Sequence, residues 1–155
     1  MRCVVPLLVL SLLPALAQAG TIQFSPSTVT VDNTQSSQDI TLMYTPSPGA
    51  RDLEVSVTIG LERLGWSTVE AATSPAPGVK VLCSLSGGQV RAVVLAPANG
   101  SLPTTTFALC RFRVRPHVHS PSQTWYSITS ANAYETDANF QGAPLANRWA
   151  WAWVP

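Results

Sequence analysis

Apolar and polar residues alternate along most of this chain, and no stretch of useful length repeats at helical spacing. Ile40, Leu42 and Tyr44 alternate with Thr41, Met43 and Thr45. Leu53, Val55, Val57 and Ile59 alternate with Glu54, Ser56 and Thr58, which is the cleanest strand signal in the sequence. A period of two sends successive side chains to opposite faces of a strand, so each segment is expected to bury one face and wet the other. Thr21–Ser25 and Thr28–Val31 read as a first pair of short strands around Pro26. Val79, Val81, Cys83 and Leu85 mark the inner face of a later strand, and Val90–Leu95 runs back from it. A long strand is expected over Thr104–Val114, with Ala108, Cys110, Phe112 and Val114 on one side, and another over Trp125–Tyr134.

Turn-forming residues punctuate these segments. Pro46-Ser47-Pro48-Gly49, Pro75-Ala76-Pro77-Gly78, Ser86-Gly87-Gly88 and Asn99-Gly100 supply preset or left-handed backbone where the chain must reverse. Asp137–Gly142 reads as a polar hairpin before a last short segment. Eight to ten strands closed at short intervals predict an all-β fold, an antiparallel β-sandwich with jelly-roll topology and about nine strands.

The start of the chain breaks the alternation. Met1 and Arg2 precede an almost wholly apolar run from Val4 to Leu16, and Ala17-Gln18-Ala19 gives the small-x-small pattern cut before Gly20. This reads as a secretory signal peptide. The run is shorter than the ~20 residues of a membrane span, although an N-terminal anchor helix is the alternative. The expected organisation is a signal at 1–19, a β-sandwich domain at 20–145 and a Trp-rich tail at 146–155. The expected location is extracellular, at the cell surface or in the periplasm, with no membrane span in the mature chain.

Composition narrows the chemistry. The 155 residues become 136 once 1–19 are removed, enough for one domain with its own core. Nine Lys and Arg face eight Asp and Glu, and loss of Arg2 makes the counts equal. A mature surface near zero net charge offers no electrostatic footprint for nucleic acid or an anionic membrane. Cys3 leaves with the signal, so Cys83 and Cys110 remain. In an oxidising compartment two cysteines most often form one disulfide, and both fall on the inward faces of their expected strands. A metal site or a thiol nucleophile are the other readings, and neither finds partner residues nearby. The bridge would close a loop of about 28 residues and contribute about 3–4 kcal/mol in the chain-entropy picture.

Candidate binding residues are few. Trp149, Trp151 and Trp153 alternate in the tail, and in an extended chain their indoles share one face where sugar rings could stack. Edge packing, or the start of a longer C-terminal segment, is the alternative. Arg111, Arg113 and Arg115 alternate with inward residues and form a basic stripe suited to an acidic partner or a uronate, or else paired with acids on neighbouring strands. His117 and His119 lack the further ligands zinc needs. Glu135, Asp137 and Asn139 alternate like calcium ligands but lack the glycine and terminal glutamate of an EF-hand loop, so a polar hairpin is expected there. Asn99-Gly100-Ser101 matches a glycosylation acceptor. No Gly-x-Ser-x-Gly elbow, phosphate-binding glycine loop or identifiable acid pair occurs, so no catalytic residue, metal or cofactor is assigned.

The order of several short patches resembles the cohesin domain and its relatives in the cohesin/carbohydrate-binding-module superfamily. The opening Ile22-Gln23-Phe24-Ser25-Pro26-Ser27-Thr28-Val29-Thr30-Val31 is similar to the family's first strand. Ala50–Val57, Gly88–Val94, Phe107–Val114 and Ala131–Asn139 follow in the family's order and extend the likeness over most of residues 21–145. The cysteine pair resembles a variant of secreted bacterial members. The resemblance implies a nine-stranded jelly roll and extracellular, non-catalytic binding. Cohesins grip dockerin modules in cellulosomes, and superfamily neighbours bind polysaccharide. The expectation is therefore a secreted binding module for a polysaccharide or a surface protein. The alternatives are a structural module of the envelope or matrix and a small extracellular hydrolase.

Overall fold

The computed structural model describes residues 20–30, 38–59, 64–86, 89–116, 124–137, 142–144 and 149–154. Eleven strands and no helix occur among them: β1 (Thr21–Ser25), β2 (Thr28–Thr30), β3 (Gln38–Thr45), β4 (Asp52–Ile59), β5 (Leu64–Ala71), β6 (Lys80–Ser86), β7 (Gln89–Leu95), β8 (Phe107–Pro116), β9 (Thr124–Thr136), β10 (Gly142–Pro144) and β11 (Trp149–Val154). They make two sheets, a smaller one in the order β1-β3-β8-β5 and a larger one in the order β2-β11-β9-β4-β7-β6, with β10 added to β9. All pairings are antiparallel except that of β11 with β2.

The alternation in the sequence becomes the core. Ile40, Leu42 and Tyr44 from β3, Leu53, Val55 and Val57 from β4, and Val90, Ala92 and Val94 from β7 are all fully or almost fully buried. Phe24 meets Phe112 edge-on at 6.2 Å, and Tyr44 meets Phe107 at 5.5 Å, so aromatic pairs join β1 and β3 to β8 within the core. The bridge between Cys83 on β6 and Cys110 on β8 crosses from the larger sheet to the smaller, with a Cα–Cα distance of 6.0 Å, inside the range a disulfide spans.

Three expectations need correction. Ala108 does not join Cys110 and Phe112 on the inner face of β8. The register against β3 shifts between Leu42 and Met43, Leu109 is the extra residue, and both Leu109 and Cys110 are buried while Ala108 is turned toward the outer side. A β-bulge of this kind reverses the phase of every residue before it. Leu85 does not share the burial of Val79. It is 44% exposed, near the end of β6, the edge strand of its sheet. The strand count exceeds nine, because β5 forms where no strand is expected and both the short β10 and the Trp-rich β11 follow β9. The opening segment divides at Pro26 as its sequence predicts: proline has no N–H for a ladder, and there the chain passes from the smaller sheet to the larger.

The connections β3–β4, β5–β6 and β7–β8 all lie at one end of the sandwich. Each contains a turn closed by a backbone bond: Ala50 N–H to Ser47 O at 3.2 Å, Val79 N–H to Ala76 O at 3.2 Å, and Gly100 N–H to Pro97 O at 3.0 Å. The third residue of each turn is left-handed: Gly49 (φ 83°), Gly78 (φ 80°) and Asn99 (φ 61°). Gly and Asn reach that region at little cost, which is why these dipeptides signal the turns in the sequence. Arg51 ties the end together: its N–H donates to Thr136 O at 2.7 Å, its carbonyl accepts from Ala96 at 2.7 Å, and its Nε–H donates to Gly100 O at 2.9 Å.

Candidate functional site

The outer face of β6, β7, β4 and β9 carries most of the exposed large apolar side chains of the described residues. Buried Leu53, Val55, Val90, Ala92, Val94 and Ala133 send their sequence neighbours to the opposite face. Backbone register then aligns Leu82 with Val93, Val93 with Glu54, and Glu54 with Tyr134 in one row across four strands. Leu82 is 57% exposed and Tyr134 53% exposed. The next row aligns Lys80, Leu95, Asp52 and Thr136, and the row on the other side aligns Ser84, Arg91 and Ser56. With strands about 4.8 Å apart, four strands give an area about 14 Å wide. Its central row is apolar but for Glu54, and charges of both signs stand in the rows on either side. The alternation in the sequence identifies these residues as outward-facing, but outward residues read as merely solvated, and only register shows that Leu82, Val93 and Tyr134 share a row.

The outer face of the smaller sheet is different in kind. Arg111 and Arg113 are exposed on β8, as the spacing predicts. Arg113 is engaged: its Nε donates to Asp39 Oδ1 at 2.6 Å and its Nη2 to Oδ2 at 3.2 Å. The hydrogen bond from Arg113, reinforced by its charge, holds the Asp39 carboxyl below its ordinary range although desolvation opposes it, and the same pair raises Arg113. Arg111 lies in register with Thr41 on β3 and Glu70 on β5, beside a shallow depression of about 410 Å³ lined by these residues and Ala71, Ala72, Thr73 and Ala108. Arg115 is opposite Gly65 in the backbone register.

The remaining sequence candidates fall elsewhere. Trp149, Trp151 and Trp153 lie on β11, opposite Thr129, Ser127 and Trp125 of β9, so the segment set apart as a tail is a strand paired with β9 on one side and β2 on the other. Glu135 is buried and turned away from Tyr134, with its carboxylate engaged by Tyr44 and Ser47. Asn99 is exposed at its turn. His117, His119 and Asn139 lie outside the described residues. No group of three or more metal-ligating side chains gathers among the described residues, and no helix there is long and apolar enough to cross a membrane.

No protein-family model and no curated protein matches the sequence. Solved structures do resemble the fold. The chain is similar to the sixth cohesin of scaffoldin B from Acetivibrio cellulolyticus, solved in complex with a mutant Cel5 dockerin, at a TM-score of 0.60 and 13% identity over 88% of this chain and 99% of that one. A non-cellulosomal cohesin from the hyperthermophilic archaeon Archaeoglobus fulgidus gives a TM-score of 0.64 and 12% identity over 88% of this chain and 91% of that one. The cohesin module of a family 33 glycoside hydrolase from Clostridium perfringens gives 0.59 and 14% over 88% and 97%. At such identities the likeness speaks for the fold alone, and with the sheet orders above it establishes this chain as a β-sandwich with the cohesin-like jelly-roll fold.

Proposed function

We propose that this chain is an exported, non-catalytic module that docks a protein partner of dockerin type on the outer face of β6, β7, β4 and β9. The observation that carries the reading is the row Leu82, Val93, Glu54 and Tyr134, which exposes apolar side chains on an open sheet face. Small substrates are bound in concave sites, whereas a broad face with an aromatic anchor and a polar rim suits a macromolecule. Lys80, Arg91 and Asp52 supply both signs of charge on either side of that row and Glu54 one negative charge within it, so the matching partner presents an apolar patch with a cation among it and mixed charges at its flanks. Support for a dockerin comes from the neighbouring folds, one of which was solved gripping such a module.

Calorimetric titration against a panel of dockerin modules tests this. At least one dockerin is expected to bind. Tyr134→Ala and Leu82→Glu are each expected to weaken it by more than about tenfold, the loss typical of a buried anchor. Arg113→Ala, on the other sheet, is expected to leave affinity within about twofold. Absence of binding to every dockerin, or binding indifferent to Leu82→Glu, overturns the reading. So does capture of a polysaccharide that is lost when Trp149, Trp151 and Trp153 are replaced by Ala.

A further inference from the structure

The charged side chain inside the sandwich lacks a counter-charge among the described residues. Glu135 is 6% exposed. Its Oε2 accepts the Tyr44 hydroxyl at 2.5 Å and the Ser47 amide at 3.2 Å, and its Oε1 accepts the same amide at 3.3 Å. Both donors are neutral. A carboxylate withdrawn from water is costly unless a cation accompanies it. Arg113 pairs instead with Asp39, at the surface of the other sheet.

Gly20 lies against this carboxylate. Its N–H donates to Ser47 Oγ at 3.1 Å, so Gly20 and Glu135 grip opposite ends of the same serine. A Cβ built on residue 20 would overlap Glu135 Oε2 and fall 3.0 Å from Glu135 Cδ. The Gly20 nitrogen, about 2.5 Å from that Cβ position, is therefore within about 5.5 Å of the carboxyl carbon. A side chain at residue 20 would push the Glu135 carboxylate out of this position.

We propose that the α-ammonium group of Gly20, released when residues 1–19 are removed, is the counter-ion of Glu135, so that processing completes the core. The inference rests on the signal-peptide reading and is independent of the binding face. Hydrolysis of the Ala19–Gly20 peptide bond consumes one water, leaves a carboxylate on Ala19 and leaves an ammonium on Gly20. One neutral donor becomes three charged ones at the same place. Ser47 Oγ keeps its donor, and the carboxylate gains a cation.

The test compares three forms of the mature protein: one beginning at Gly20, one acetylated on that amine, and one retaining Ala19. The form beginning at Gly20 is expected to melt about 5–10 °C above the other two. In a Glu135→Gln background the three are expected to coincide. Should that variant fail to fold, acylation of amines gives a second measurement on the wild type. Lys80 is the only lysine, so the mature chain has two amines. In the native protein exposed Lys80 is expected to react while the Gly20 amine is spared, and in urea both react. Equal melting of the three forms, a difference that survives Glu135→Gln, or free acylation of Gly20 in the native state overturns the proposal. A first residue other than Gly20 in the exported chain, read by mass spectrometry, overturns it at the cleavage step.

Discussion

Tyr44 is where a single side chain does most to reconcile a polar group with an apolar core. Its ring packs edge-on against Phe107, while its hydroxyl donates to Glu135. Burial, and then the hydrogen bond and charge of Glu135, push the Tyr44 hydroxyl far above its ordinary pKa, so it stays a neutral donor throughout the accessible pH range. The tyrosine therefore satisfies the carboxylate without competing for its charge. Tyr44→Phe keeps the packing and removes the donor, leaving the carboxylate with the Ser47 amide as its other described protein donor. The expected loss is about 1–3 kcal/mol, the penalty for a buried acceptor deprived of its partner. Urea unfolding at neutral pH measures it, and an unchanged midpoint would mean that water replaces the hydroxyl. The sequence marks Glu135 only as one of three alternating polar residues; nothing in its spacing says that it faces Tyr44, 91 positions earlier.

At the scale of elements, the turns show how local chemistry and tertiary contact divide the work. Gly49 and Gly78 have nearly the same left-handed φ. A Cβ on Gly49 would meet nothing within 4 Å, whereas one on Gly78 would lie 2.9 Å from Pro97 Cβ. Gly49→Ala is thus expected to cost about 1–2 kcal/mol, the conformational penalty alone. Gly78→Ala is expected to cost more, because Pro97 in the neighbouring turn must move. Thermal or urea unfolding of the two variants reads that difference, and equal losses would show that the two turns do not press on each other. These turns are legible in the sequence because Pro and Gly act locally. Strands β3, β4 and β7 are legible for the same reason, since their alternation runs unbroken. What escapes is any element whose phase slips. In β5, Leu64 and Trp66 fall on even positions but Val69 and Ala71 on odd ones, because the register with β8 shifts between Trp66 and Thr68, and no strand is expected there. The bulge at Leu109 hides Ala108's true side in the same way. The candidate face is lost for a further reason: Leu82 and Tyr134 are 52 positions apart and fall in one row only through the pairing of three strand edges.

For the molecule as a whole, the bridge between Cys83 and Cys110 is the covalent tie between the two layers. β6 is the terminal strand of the larger sheet, held by β7 on one side, and β8 lies inside the smaller sheet between β3 and β5. The crosslink therefore fastens an edge to the middle of the opposite layer, over a sequence separation of 27. Chain entropy assigns such a loop about 3–4 kcal/mol, lost from the unfolded ensemble when the bond is absent. That is a large share of the roughly 5–15 kcal/mol by which a domain is stable. A Cys83→Ser, Cys110→Ser double variant is expected to lose that amount in urea unfolding while keeping the circular dichroism of a β-sandwich, because the buried residues of β3, β4 and β7 do not depend on the bond. The native wild type is expected to show no titratable thiol from this pair. Because Leu82 belongs to the strand that the bridge fastens, the same variant is also expected to bind its partner more weakly than the wild type, with the unbridged β6 free to fray. A variant that loses stability but not affinity would leave β6 anchored by its ladder with β7 alone, and the binding face independent of the tie between the layers.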